Sequence, residues 1–489
     1  WLELKNGDHI QWLGNIVGRS EFCYPFDMSL EKGKIIGEMS MNSKLNFVFV
    51  LIASMLGLVL FSVEGGPAFG GQLLPDGRVI NVTGSVFSVL QDDWNLADKV
   101  EEAKQLLKNS PLLGFNEDPK KDSKGRVIKK KSQPVLEMKR KEIALAILDT
   151  ETGQVFEKRY WLNIAEINKA SDLRKKYQNN PENLPRFQPT QTNEEFGVIS
   201  NWWNSFNSDL SVVKEGAAGG RYVVIANKYL MSNEDLAYPE DRTGERYSDI
   251  VYVPYSSALK DKTLIAAGKQ FLNDHVRDAF EELAAAGVES RSFPGRRVTD
   301  TITQTFVKNI FLTEQTDPKM MLLSTDGGLE LAERVLIRLG TNGEKAFRYT
   351  VSKTGASGLG QIMPRTYSNP RSGTGVVERY PSASLIKDVE VGRVDIKNAI
   401  KASALVFDDH LTVVVNKVNS SSKARQIFAR KTESEIDEIR AAIYNGGPGK
   451  YKHLTGNIST AVTETVLFVR KFRMIRELGL FNEYATAQQ

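Results

Sequence analysis

From Lys262 onward the apolar residues of this chain recur at helical spacing, and that change of period constrains the fold more than any other feature. In "KTLIAAGKQFLNDHVRDAFEEL", Leu264, Phe271, Leu272, Val276, Phe280 and Leu283 fall on one side of a helix. "DTITQTFVKNIFLTE", "GLELAERVLIRLG", "DIKNAIKASALVFDDHL" and "SEIDEIRAAIY" continue the pattern. Upstream the texture differs. "IALAILDTETGQVFEKRYWL" reads as two strands around a Thr-Gly turn, "GGRYVVIANKY" and "SDIVYVPY" read as buried strands, and "PENLPRFQPTQTNEE" reads as a loop. The expected fold is therefore α+β, a mixed α/β region over residues 72–260 followed by a helical domain over 261–489. A chain of 489 residues, 41% of them hydrophobic, has the means to bury cores for two or three domains. No internal repeat, phosphate loop or dinucleotide fingerprint occurs in residues 72–260, so the role of that region is not readable from sequence.

Residues 45–63 are uncharged and mostly apolar. A start at Met41 would put an amine and Lys44 ahead of them and small residues near Ala68, Gly70 and Gly71 behind, the layout of a secretory leader over 41–71. About 18 apolar residues also suffice to span a bilayer, so the same stretch reads equally as a retained anchor in contact with a membrane. Residues 1–40, which open on Trp1, read as upstream sequence foreign to the mature protein. Either reading of the apolar stretch places the remainder outside the cytoplasm.

The formal charge of +4 is small for this length and leaves no nucleic-acid footprint, although a mildly basic chain suits an anionic wall. Charge is concentrated in one place. Residues 119–141, "PKKDSKGRVIKKKSQPVLEMKRK", carry ten basic and two acidic side chains and read as a solvated, mobile loop or as a contact for wall or lipid phosphates. One cysteine, Cys23, and four histidines argue against a disulfide framework and against a metal site. No cofactor is expected.

Within the helical half, "SKTGASGLGQIMPRTY", "AAIYNGGPGKY" and "ETVLFVRKF" occur in that order. Together they resemble the Gly-Leu-x-Gln, Tyr-Asn-x-Gly-Pro-Gly and Glu-Thr-x-x-Tyr-Val segments of the soluble lytic transglycosylases, relatives of goose-type lysozyme, over roughly residues 298–480. The resemblance implies an all-α, lysozyme-like catalytic domain that binds the glycan strands of peptidoglycan, in the periplasm or facing the wall. It implies cleavage between N-acetylmuramic acid and N-acetylglucosamine by one glutamic acid, which protonates the glycosidic oxygen and then helps the muramoyl C6 hydroxyl close an anhydro ring. Such an acid must hold a proton near neutrality, and burial is the ordinary way to achieve that.

Two glutamates compete for the role. Glu344 has the family's spacing to the glycine loop, but "LGTNGE" places helix-stopping residues where a buried helix should lead into the acid. Glu314 continues the apolar face of Phe306 and Ile310 at i, i+4 and i+8, and Asp317-Pro318 follows it, but it lies much farther from the loop. An unpaired buried carboxylate costs on the order of several kcal/mol unless it takes a proton, as a general acid does. Helical phase favours Glu314; spacing favours Glu344.

The resemblance also assigns substrate contacts to Gly358, Leu359, Gln361, Tyr444 and Asn445. The bare backbone at Gly355, Gly358 and Gly360 would admit a sugar or a positive φ. Gln361 would orient the acid or bond an acetamido group, or else satisfy the loop's own backbone. Tyr444 would reach the acid and Asn445 a sugar, or else the two are a core tyrosine and a helix-end cap. Met363 reads as a core residue. Gly360 replaces a frequent methionine, which would widen or loosen the cleft floor, and Phe468 replaces a tyrosine, leaving Tyr444 as the phenolic partner. The alternatives are a lysozyme-type hydrolase, in which Asp317 or Asp326 activates water, and an inert peptidoglycan-binding or assembly module.

Overall fold

The computed structural model describes residues 94–169 and 195–482, apart from 203, 204 and 353, and earlier in the chain only the backbone of a few short strands. The leader at 41–71, its apolar stretch 45–63, Cys23 and most of the loop at 181–195 lie outside the described residues. Two compact units divide the chain, Trp1–Gln72 and Leu73–Gln489, and the architecture below belongs to the second. It is mixed, with a sheet-rich region followed by a helical one. Among the described residues no helix is long and apolar enough to cross a membrane, and no group of three or more His, Cys, Asp or Glu side chains is placed to hold a metal ion.

Helix α1 (Leu96–Asn109) precedes an antiparallel sheet built on one long strand. That strand, β2 (Leu136–Asp149), pairs with β1 (Phe115–Pro119), β3 (Val155–Asn163) and β6 (Tyr222–Ser232), and β6 pairs in turn with β7 (Tyr247–Tyr252). The uninterrupted apolar run Ile143–Leu148 explains why β2 lies at the centre, because a strand without a polar face must be covered on both sides. Ala144, Ala146 and Leu148 pack under Leu96, Val100, Ala103 and Leu107 of α1. Ile143, Leu145 and Ile147 face the opposite layer, where the hairpin of β4 (Gly197–Trp202) and β5 (Asp209–Val213) supplies Val198, Leu210 and Val212.

The helical region comprises α2 (Lys262–Ala285), α3 (Gln304–Gln315), α4 (Leu329–Asn342), α5 (Ile396–Asn419), α6 (Glu433–Gly446) and α7 (Thr463–Glu477), with shorter helical turns between them. Its core joins Leu272, Val276 and Phe280 of α2, Phe306 and Ile310 of α3, Leu336 of α4, Leu405 and Phe407 of α5, and Phe472 of α7. Residues 398–409 of α5 are all buried, the mark of a helix surrounded by others.

The two regions are not independent. Leu264 of α2 and Ile337 of α4 enter the core beneath the sheet with Val253, Tyr255 and Leu259. Beyond α4 the chain is tied back to the sheet region at buried Asp241, which accepts from Lys345 at 2.8 Å and from Arg348 and Tyr349 at 3.2 Å each. This seam fixes the segment that leads into the glycine loop.

The basic segment differs from the expected mobile loop. Residues 119–136 fold back on themselves as a small ordered extension of β1 and β2, in which Lys120 N donates to Val135 O, Ile128 N to Lys120 O and Val135 N to Ile128 O at 2.7–2.9 Å. Two tight turns close it. Asp122 accepts the backbone N–H groups of Lys124 and Arg126 at 2.9 Å, and Lys131 and Ser132 both adopt positive φ between the paired strands at 129–130 and 133–134.

Candidate functional site

Helix α3 starts on Thr303, whose side chain accepts from Phe306 N at 3.1 Å, and turns Phe306 and Ile310 into the core. Glu314 comes next on that face, in the last turn. It keeps partial access to solvent, yet protein surrounds it closely, and burial raises its carboxyl to about 7. Lys471 works against the shift and Glu464 works with it.

Lys471 projects from α7 into the same place. Its Nζ donates to the carbonyls of Thr313 at 2.6 Å and Thr316 at 2.7 Å, so a buried ammonium satisfies the end of the helix that carries Glu314. Burial pulls its own pKa down, against the attraction of Glu314 and Asp317. Tyr444, in the last turn of α6, is the third member. Burial first, and then the charge of Glu314, hold its phenol above the ordinary range, so it remains a hydrogen-bond donor at all physiological pH values.

The glycine loop is held against this group by side chains from four helical segments. Gln315, next to Glu314, donates its amide to Gly358 O at 3.1 Å and Leu359 O at 2.8 Å. The Tyr444 hydroxyl donates to Gly360 O, with Ser403 Oγ of α5 at 3.4 Å. Buried Arg393, from the short helix Val389–Val394, donates to Gly355 O at 2.6 Å and Ile362 O at 3.2 Å. Leu359 and Ile362 insert into the helical core and anchor the loop from below. The end of α6 is itself braced, because the His410 ring lies 2.9 Å from Ile443 O.

Several expectations about the loop change on this geometry. At Gly358, where φ is +75°, a Cβ would lie 2.1 Å from Arg393 O; at Gly360 it would lie 2.5 Å from Ser403 Oγ and 3.2 Å from Tyr444 Oη. These two glycines admit the protein's own groups, so the missing side chain at Gly360 leaves no widened floor. Gly355, with no atom within 4 Å of its Cβ position, is the glycine with open space. Gln361 adopts φ +48° and donates to Gly358 O at 2.8 Å, so its amide serves the loop backbone. Met363 is 39% exposed where a core residue was expected, because it precedes the proline that starts the short helix Pro364–Tyr367, and Ile362 takes the buried position. Asn445 is half-buried beside Tyr444, and its amide makes no hydrogen bond among the described residues. Phe468 is a buried core residue, with Lys471 Nζ 5.5 Å from its ring centre.

Glu344 lies elsewhere. It sits in the turn Gly343–Lys345 after α4, with an exposed side chain whose Oε1 is 2.6 Å from His275 Nε2. The imidazole holds its carboxyl below the usual range. Of the two glutamates, only Glu314 shares its surroundings with Tyr444 and the loop. Neither aspartate considered as a second acid is idle. Asp326 accepts from Gly328 N and Glu330 N at 2.9 Å and from the Ser324 hydroxyl, and Asp317 accepts from Met320 N at 3.1 Å.

Sequence reasoning missed Gln315, Ser403, Arg393 and Lys471. For Lys471 a signal existed. It falls on the stripe of α7 formed by Phe468, Phe472 and Ile475, and a charge in an apolar stripe is the same cue that singled out Glu314. Comparison with protein-family models finds no match to this chain, and comparisons with curated proteins and with solved structures find none either.

Proposed function

We propose that the helical region is a lysozyme-like domain that cleaves the glycan strands of peptidoglycan as a lytic transglycosylase, with Glu314 as its single acid and base, and that it works outside the cytoplasm facing the wall. The observation that carries the reading is Glu314 itself, a carboxyl whose pKa burial raises to about 7, grouped with Tyr444 and the loop that bears the family-like motif. A carboxyl in that state can give its proton to the glycosidic oxygen as the bond to the anomeric carbon breaks. The resulting carboxylate then takes the proton of the muramoyl C6 hydroxyl as that oxygen bonds to the anomeric carbon, which restores the acid and leaves a 1,6-anhydro end. No water is consumed.

The remaining groups support this chemistry by position. The charge of the Lys471 ammonium lowers the cost of the carboxylate formed in the first half of the reaction, whereas the Tyr444 hydroxyl donates its hydrogen bond to Gly360 O and holds the loop beside the acid. Asn445 is available to an acetamido group, and Gly355 offers bare backbone to a sugar ring. A hydrolase would need a second carboxylate to activate water, and the backbone hydrogen bonds of Asp317 and Asp326 weigh against that reading.

Digestion of purified peptidoglycan followed by mass analysis tests the proposal. Transglycosylation releases muropeptides lighter by one water than hydrolysis does, and Glu314→Gln abolishes release. Products at the hydrolysed mass would establish the hydrolase, and wall binding without release of any fragment would establish a binding module.

A further inference from the structure

The extension at residues 119–136 presents six lysines that form no ion pair among the described residues: Lys120, Lys121, Lys124, Lys129, Lys130 and Lys131. The one acidic side chain of the segment, Asp122, is engaged with Arg126 at 2.9 Å, and Glu137 just beyond it pairs with Lys139. Residues 123–134 are exposed without exception. Val127, Ile128 and Leu136 stand among the lysines, 39%, 37% and 42% exposed. Two closed turns and three cross-strand hydrogen bonds hold the backbone of this projection in one conformation, so little backbone entropy remains to be lost on docking.

We propose that this projection docks on the surface of an anionic lipid bilayer. Lysines satisfy the requirement for negative charge, and each adds to attraction toward a surface rich in acidic lipid headgroups. The apolar side chains decide which polyanion fits. A phosphate polymer in water offers Val127, Ile128 and Leu136 nothing to bury against, whereas a bilayer lets them enter the boundary between headgroups and acyl chains as the lysines stay among the phosphates. Docking would hold the protein at the membrane by a contact separate from residues 45–63 and independent of the reaction proposed above.

The test uses the full chain with Cys23→Ser and Ile128→Cys, labelled at residue 128 with an environment-sensitive fluorophore. Phosphatidylcholine vesicles with and without phosphatidylglycerol are added, and long-chain polyphosphate serves as the soluble comparison. The expected result is a blue shift on the phosphatidylglycerol vesicles alone. Replacing Lys129, Lys130 and Lys131 by Gln weakens partitioning on the order of a hundredfold, and added salt does the same. A label that stays in water on bound vesicles, or a blue shift that ignores lipid charge, would overturn the proposal. An equal blue shift on polyphosphate would assign the projection to a soluble polyanion instead. Because the labelled site and the three lysines are exposed, circular dichroism of each variant is expected to match the parent, and the fluorescence shift reads contact even if partitioning through other residues persists.

Discussion

Lys471 donates to the carbonyl of Thr313 at 2.6 Å, so the helix that carries Glu314 ends on a buried ammonium from another helix. Replacing Lys471 by Met leaves the buried Thr316 carbonyl without this donor, at a cost of about 1–3 kcal/mol, while the Thr313 carbonyl keeps the Thr316 hydroxyl at 3.1 Å. Because Lys471 holds the Glu314 carboxyl down, its loss also raises that carboxyl further. The expected outcome is a lower denaturation midpoint together with an alkaline limb of activity displaced to higher pH. An activity profile that keeps its alkaline limb in place would show that Lys471 is structural only.

Glu314→Gln separates stability from catalysis. The folded-state carboxyl lies at about 7 against an ordinary 4.5, so the native protein binds the proton more tightly than the unfolded chain does. The sign follows: stability attributable to Glu314 is full below pH 4.5 and falls as pH rises toward 7, where an ionised carboxylate must be kept buried. The Gln variant escapes that loss. It is expected to melt near the parent at pH 4.5 and above it at pH 8, by about 1–2 kcal/mol after Lys471 loses its counter-charge, with no cleavage at either pH. Calorimetry across this range provides the check, and a gain at low pH in place of high pH contradicts the burial argument.

Much of this was legible in the chain because it depends on period. The run Ile143–Leu148 requires cover on both faces, and the phase of Phe306, Ile310 and Glu314 turns a carboxyl toward the core. What periodicity cannot show is which distant groups fill a space. Gly360 looks like room for a ligand until Tyr444, 84 residues away in sequence, proves to fill it. Gln361 looks like a substrate amide until its φ of +48° turns it back onto Gly358. The basic segment reads as mobile because its lysines hide a strand pattern. The cue was Gly125, whose φ of +77° closes the turn begun at Asp122.

Glu344→Gln tests the discarded candidate. Its carboxyl is lowered by His275, and His275 is raised first of all by Glu344. The Glu344 contribution is lost as pH falls below the ordinary 4.5, and the His275 contribution is lost as pH rises past the ordinary 6.5, so the pair stabilises most between those values. An exposed pair is worth less than about 1 kcal/mol. The expected result is full cleavage activity, a small loss of stability confined to mildly acidic pH, and a lowered His275 titration by NMR. Loss of cleavage with the fold intact would return Glu344 to the active centre.

Gly360→Ala probes the contact between the loop and Tyr444. The added methyl would lie 2.5 Å from Ser403 Oγ, closer than carbon and oxygen tolerate, and 3.2 Å from Tyr444 Oη, a tight contact that needs a small shift. Overpacking of this kind costs about 1–3 kcal/mol, and here the strain falls first on Ser403 and then on the phenol that holds the loop beside Glu314. Activity is therefore expected to fall more than stability. Ser403→Ala removes the nearer of the two clashing atoms and the weak 3.4 Å contact it makes with Tyr444. Combined with Gly360→Ala it should restore most of the lost stability, while Tyr444, still crowded at 3.2 Å, recovers only part of its alignment. A double-mutant cycle scored by both unfolding and muropeptide release distinguishes the outcomes. Independent, additive effects would mean that Gly360 and Ser403 do not compete for the same space.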